Sequence, residues 1–196
     1  MTLIIDAGHG IDTPGKRSPD GCFLEYLWNR QIAERVYYML RACGADVRML
    51  VRETNDIALR TRVMRANAIA TEKGVANTLV VSIHSNAAGD GSKWQNAQGW
   101  SCYTSKGRTS ADKAAEYMYD AFEAEFKDRK IRKDMSDGDR DWEEDFYVLK
   151  HTKSPAILLE NFFYDNREEC SWLLKEDTKN RIASTIVKGL MNYVKG

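Results

Sequence analysis

Proline is scarce in this sequence: three residues in 196, with 13 glycines. That leaves little room for long linkers, and the length fits one domain. Net charge is absent as well, since 29 Lys and Arg balance 29 Asp and Glu. A protein that grips nucleic acid or an anionic membrane by bulk electrostatics is therefore excluded. Long hydrophobic runs are missing too. The longest, such as Thr78 to Ile83, fall far short of the roughly 20 residues of a spanning helix. At the N-terminus Met1-Thr-Leu-Ile-Ile reaches Asp6 before a signal-length apolar region can form. The expectation is a chain made in the cytoplasm without a signal peptide. Cys22, Cys43, Cys102 and Cys170 form no CxxC pair, which argues against a cysteine zinc knuckle and for ordinary reduced thiols.

What remains is 43% hydrophobic and 30% charged, the make-up of a folded globular chain. Apolar strand-like runs alternate with amphipathic stretches. Leu3-Ile-Ile reads as a short buried strand ended by Gly8-His-Gly10. Trp28 to Cys43 has helical spacing, with Gly44 placed to end it. Val47 to Val51 is a second strand, and Leu59 to Glu72 a second helix before Gly74. Leu79-Val-Val-Ser-Ile83 is a strand buried on both faces. Trp100 to Thr104 is a further strand, and Ser110 to Phe126 a third helix. The charged stretch Asp128 to Asp145 reads as a loop, Phe146 to Leu149 and Ala156 to Leu159 as strands, and Thr178 to Val194 as the closing helix. The alternation predicts an α/β fold with a mostly parallel sheet, its first three strands joined by crossover helices.

Two of the three histidines follow strands. His9 lies just past the first, and His84 ends the run Val80 to Ile83. Carboxyl ends of parallel strands converge on one ligand site, so the two imidazoles can meet there. Glu25, expected on the loop leaving His9 just before the first helix, reaches the same edge, and Glu160 ends the strand Ala156-Ile-Leu-Leu. Each alone has an ordinary reading: a hydrogen-bonded histidine, a carboxylate at a helix N-terminus, a glutamate paired with arginine. Together, two histidines and two glutamates at one edge favour a metal site, because neutral imidazole and carboxylate are the donors zinc hydrolases use. His151, in Leu149-Lys-His-Thr152, is assigned a structural role, or at most one lining the substrate.

Further residues carry a family resemblance. Asp6-Ala-Gly-His-Gly10, Glu25 with Asn29, Arg52, Leu59-x-x-Arg62 with Ala66-Asn67, Ser82-Ile-His-Ser-Asn86-Ala, and Pro155-Ala-Ile-Leu-Leu-Glu160-x-x-Phe163-x-x-Asn166 occur in this order. The set covers nearly the whole chain and resembles the catalytic domain of zinc-dependent N-acetylmuramoyl-L-alanine amidases, the type 3 family of bacterial cell-wall hydrolases and phage endolysins. The resemblance implies a twisted, mostly parallel sheet of about six strands with helices on both faces. It implies one zinc ion held by His9, Glu25 and His84; many relatives also carry wall-binding repeats, and the expectation here is a single catalytic domain over residues 1–196 without a separate wall-binding domain. Glu160 takes the place of the catalytic glutamate. Arg52, Arg62 and Asn67 take structural places, with arginines tying helix and loop ends. Asn86 is a candidate for substrate contact or for fixing the His84 loop. Phe162 stands where the family commonly has glycine, a departure expected to narrow or reshape the cleft floor.

The implied partner is peptidoglycan, and the implied reaction is hydrolysis of the amide between N-acetylmuramic acid and L-alanine of the stem peptide. Lys130, Arg132 and Lys133 are candidates for stem-peptide carboxylates, against the plainer reading of a solvated charged loop. The competing functions are a zinc peptidase on another peptidoglycan amide and a catalytically silent wall-binding module. All four expected site positions are intact, which argues against the silent module. A cytoplasmic origin with action on the wall after release suits phage lysis or mother-cell lysis.

Overall fold

Strand β1 (Thr2–Ala7) is buried along its whole length, and so is β3 (Thr78–Asn86) up to Ile83. Strands covered on both faces belong at the centre of a layered sheet. In the computed structural model, which describes all 196 residues, six strands lie in the order β2-β1-β3-β6-β4-β5. The others are β2 (Asp46–Met49), β4 (Ser101–Thr104), β5 (Trp142–Glu143) and β6 (Ala156–Phe163). Strands β2, β1, β3 and β6 run parallel; β4 is antiparallel to β6, and β5 is parallel to β4. The α/β class and the three parallel leading strands match the sequence reading.

The helices are α1 (Glu25–Ala42), α2 (Leu59–Lys73), α3 (Asp112–Glu125), α4 (Tyr147–His151), α5 (Arg167–Leu173) and α6 (Glu176–Lys195). None is long and apolar enough to cross a membrane. The larger core, 33 buried residues, joins α1, α3 and α6 to one sheet face through Leu3, Ile5, Leu79, Val81, Ile157 and Leu159. The smaller core, 10 residues, packs α2 and α4 on Ile4, Val80, Ala156 and Leu158. Side chains alternate between faces along a strand. The residues continuing Ile4, Val80 and Leu158 at steps of two, Asp6, Ser82, His84 and Glu160, therefore fall on this thinner side.

Three elements differ from the expectation. Phe146 to Leu149 is not a strand: Tyr147–His151 is a short helix that seats Val148 and Leu149 in the smaller core. A run of four apolar residues fits either state, and here packing decides. Arg167–Leu173 is a helix that apolar spacing did not reveal. Its signal is the cap, where the Asn166 side chain accepts from the Glu168 and Glu169 amides. Trp142–Glu143 forms a two-residue strand within the charged loop.

Candidate metal centre

The carboxyl edge of β1 leads into Gly8, where a Cβ would sit 2.1 Å from Cε1 of His84. Only glycine lets the two chain segments approach this closely. His9 follows with φ 62°, a left-handed backbone uncommon outside glycine. Its carbonyl accepts from Arg30 at 2.9 Å and from Arg62 at 3.2 Å, and these two bonds hold the turn. Glu25 is the first residue of α1, not a loop residue as expected, and is buried.

These placements bring His9, Glu25 and His84 together. Glu25 Oε1 lies 3.3 Å from His9 Nε2 and 3.3 Å from His84 Nδ1, and the two rings stand perpendicular with centroids 4.9 Å apart. One donor atom from each of the three falls within 4.8 Å of the others. Glu25 Oε2 is sealed from solvent and has no hydrogen-bond partner; Lys16 Nζ stands 3.9 Å away. An orphaned carboxylate oxygen beside two imidazoles fits a divalent cation, with the two-nitrogen, one-carboxylate set common in zinc hydrolases. Burial would raise the Glu25 carboxyl, but bonds and charge from His84 and His9 outweigh it and hold the group well below the usual carboxylate range. Burial lowers His9, against a weaker pull from Glu25, a direction that favours the ring form with a free lone pair.

Glu160 is the register partner of His84 across β3 and β6. Its Oε2 is buried without a partner. Burial raises the carboxyl well above its ordinary value, the negative Glu25 adds to this, and Lys16 and Arg132 oppose it. The group's affinity for a proton is raised, so the carboxylate takes one up more readily than an ordinary glutamate. A pocket of about 230 Å³ opens over the centre, lined by the polar His9, Lys16, His84 and Glu160 and by the apolar or aromatic Leu59, Phe146, Tyr147, Val148 and Leu158. A roomier hollow of about 480 Å³ continues past Lys16 along residues 11–17 and contains none of the three donors.

Beside this centre lies a second buried cluster. Arg62, 2% exposed, donates to Asp6, Ala7, His9, Ile57 and Asp56 at 2.6 to 3.2 Å. Asn67 ties α2 to the end of α4 by donating to the His151 carbonyl and accepting from the Lys153 amide. Both match the structural roles expected of them. Arg52 does so through an aromatic ring, its guanidinium lying 5.8 Å from that of Tyr37 on α1, while Arg30 and Arg65 tie the Glu53 segment. Asn86 ends β3, its side-chain oxygen accepting from the Ala87 amide, and does not line the pocket around Glu160. His151 is exposed against Tyr147, at a ring distance of 4.3 Å.

Phe162 corrects another expectation. Its backbone takes φ 63°, in the region glycine favours, but its side chain turns away from the cleft into the larger core against Phe126 and Trp172. Sequence reasoning missed Lys16. Its position in the Pro14-Gly15 turn, close after His9, was the only hint.

A match to the family described as N-acetylmuramoyl-L-alanine amidase spans residues 3–192. The germination-specific N-acetylmuramoyl-L-alanine amidase of Bacillus subtilis is 28% identical over 205 residues, covering 97% of this chain and 78% of that protein. The crystal structure of an N-acetylmuramoyl-L-alanine amidase from Clostridium difficile 630 superposes with a TM-score of 0.82 at 28% identity, covering 100% of this chain and 97% of that one. The catalytic domain of CwlV, an amidase from Bacillus (Paenibacillus) polymyxa var. colistinus, gives 0.80 at 26%, with 99% and 98% covered.

Proposed function

This chain belongs to the N-acetylmuramoyl-L-alanine amidase family, and we propose that it cleaves the muramoyl–L-alanine amide of peptidoglycan with one zinc ion held by His9, Glu25 and His84 and with Glu160 as the proton carrier. The supporting observation is the gathering of those three donors within 4.8 Å, in register with Glu160. We read residues 1–196 as one catalytic unit built on the single sheet.

An unactivated amide needs a strong nucleophile, a polarised carbonyl and a proton for the departing amine. Bound zinc would supply Lewis acidity, which sharpens the nucleophile and draws electrons from the carbonyl. Glu160 then takes a proton from the attacking water and delivers it to the L-alanine nitrogen. Water's oxygen joins the lactyl carbonyl carbon as the C–N bond breaks, leaving a carboxylate on the sugar side and a free amine on the peptide. Leu59, Phe146 and Tyr147 form an apolar lip that limits bulk water around the carboxyl of Glu160.

Digestion of purified sacculi tests this reading. The expected products are stem peptides with a free L-alanine amine, lost on chelation and restored by zinc. Peptides with any other new amino terminus would point to a peptidase instead. Undiminished release from protein shown metal-free by elemental analysis would overturn the metal assignment.

A further inference from the structure

Among the three cations that the charged loop offers, the structure separates one from the rest. Lys133 is paired with Glu123, and Lys130 is exposed on the surface. Arg132 is half-buried, and its guanidinium makes no hydrogen bond and no ion pair. It lies 5.1 Å from the centroid of Trp142 and 5.2 Å from that of Phe163. Its main chain is fixed as well: the amide donates to the Trp100 carbonyl, and the carbonyl accepts from the Tyr119 hydroxyl.

A run of aromatic contacts leads from Arg132 to the reaction centre. Arg132 lies on Trp142, Trp142 on Tyr103 at 6.3 Å, and Tyr103 on Phe146 at 5.3 Å; Phe146 lines the pocket with Glu160. The charge of Arg132 is felt at both Glu160 and the Tyr103 hydroxyl. A cation placed to attract the catalytic carboxyl, yet bonded to no acid of its own, retains its donors for a ligand. Two aromatic contacts restrict it, so less rotamer freedom is lost when a planar anion engages its fork.

We propose that Arg132 forms a carboxylate-binding subsite for the peptide side of the substrate, anchoring a stem-peptide carboxylate beyond Trp142 while the scissile amide lies at Glu160. The assignment rests on the amidase reading above. In the muramoyl–peptide substrate, the sugar side offers hydroxyls and an acetamido group, and the free carboxylates lie on the peptide. A paired, planar acceptor is what a guanidinium binds best.

The test compares a muramoyl tripeptide whose carboxylates are free with the same tripeptide fully amidated. The parent protein should prefer the free acid by about tenfold or more in kcat/KM, the scale of one charge-assisted hydrogen bond. Arg132→Gln should bring that preference close to one, and Arg132→Lys should retain part of it. A purely structural role would lower both substrates alike and leave the ratio intact. A parent indifferent to amidation, or an Arg132→Gln protein with the parental ratio, overturns the subsite. If Arg132→Gln does not fold, product inhibition of the parent decides: the free-acid peptide should inhibit about tenfold more strongly than its amide, and equal inhibition overturns the proposal. Failure of the parent to release an L-alanine-terminated peptide from either substrate would overturn the amidase reading itself.

Discussion

Asp6 and Glu25 are both buried carboxylates at the same edge of the sheet, and their surroundings are opposite in kind. Asp6 Oδ1 accepts from Arg62 at 2.6 Å and Oδ2 from Ser82 at 2.8 Å, so both oxygens are answered. Glu25 crowds His9, His84, Asn29 and Ser85 around Oε1 and leaves Oε2 without a hydrogen bond. Glu160, one strand over from His84, also has an orphaned oxygen. The satisfied cluster fixes backbone: Arg62 binds the carbonyls of Ala7, His9 and Ile57. The unsatisfied cluster keeps capacity for something outside the chain. Buried polar groups are ordinarily paired, and at this edge of the sheet the orphaned carboxylate oxygens belong to Glu25 and Glu160 while those of Asp6 are answered.

The largest expected effect falls on the unsatisfied side. Glu160→Gln should lower turnover by about 10²- to 10⁴-fold, the usual contribution of general acid–base catalysis, while urea unfolding stays within about 1 kcal/mol of the parent. A variant with parental turnover would remove Glu160 from the chemistry. On the satisfied side the effect should be on folding. Arg62→Met leaves Asp6 buried without its cation and should cost about 3–5 kcal/mol in urea unfolding; a loss below about 1 kcal/mol would break the contrast.

A third acidic pair sharpens the comparison. Asp139 and Asp141 each have a sealed oxygen without a partner, and Thr104 alone donates to Asp141. Burial, partly offset by the Thr104 hydroxyl and reinforced by the charge of Asp139, pushes Asp141 up to about 7. Its folded-state value is raised, so the folded protein holds a proton that the unfolded chain releases. The stability this provides is complete below about pH 4 and is lost as pH rises towards 7. Asp139→Asn should therefore match the parent at pH 4 and exceed it by about 1 kcal/mol at pH 8. Parallel stability–pH curves for the two proteins would show that the pair carries no such strain.

Much of this arrangement was legible in the residue order, for reasons the structure makes plain. The alternation Val80, Ser82, His84 and Leu158, Glu160 places the polar residues on one face once the strands are recognised. The strand-end positions of His9 and His84 then bring the imidazoles together. Less legible were features set by contacts distant in sequence. Nothing local distinguishes Arg52, which lies on Tyr37, from Arg62, which meets Asp6, because the difference is which carboxylate the fold brings near. Tyr147 to Leu149 took helical form because Val148 and Leu149 found a place in the smaller core. Phe162 gave no local sign of its left-handed backbone, which arises from one extra residue in β6 opposite β3.

That extra residue lies between the His84–Glu160 and Asn86–Phe163 pairings. The Asn161 amide donates to the His84 carbonyl, the Ser85 hydroxyl donates to the carbonyls of Asn161 and Phe162, and the Phe162 ring is anchored among aromatics on the opposite face. It acts as a dowel. Strand β6 cannot slide along its neighbour without drawing a phenyl ring out of its socket, so the reach of Glu160 towards the two imidazoles is indexed from the far side of the sheet. Shifting that reach would require recarving the socket of Phe126 and Trp172, on the opposite face of the sheet from the pocket that Glu160 lines.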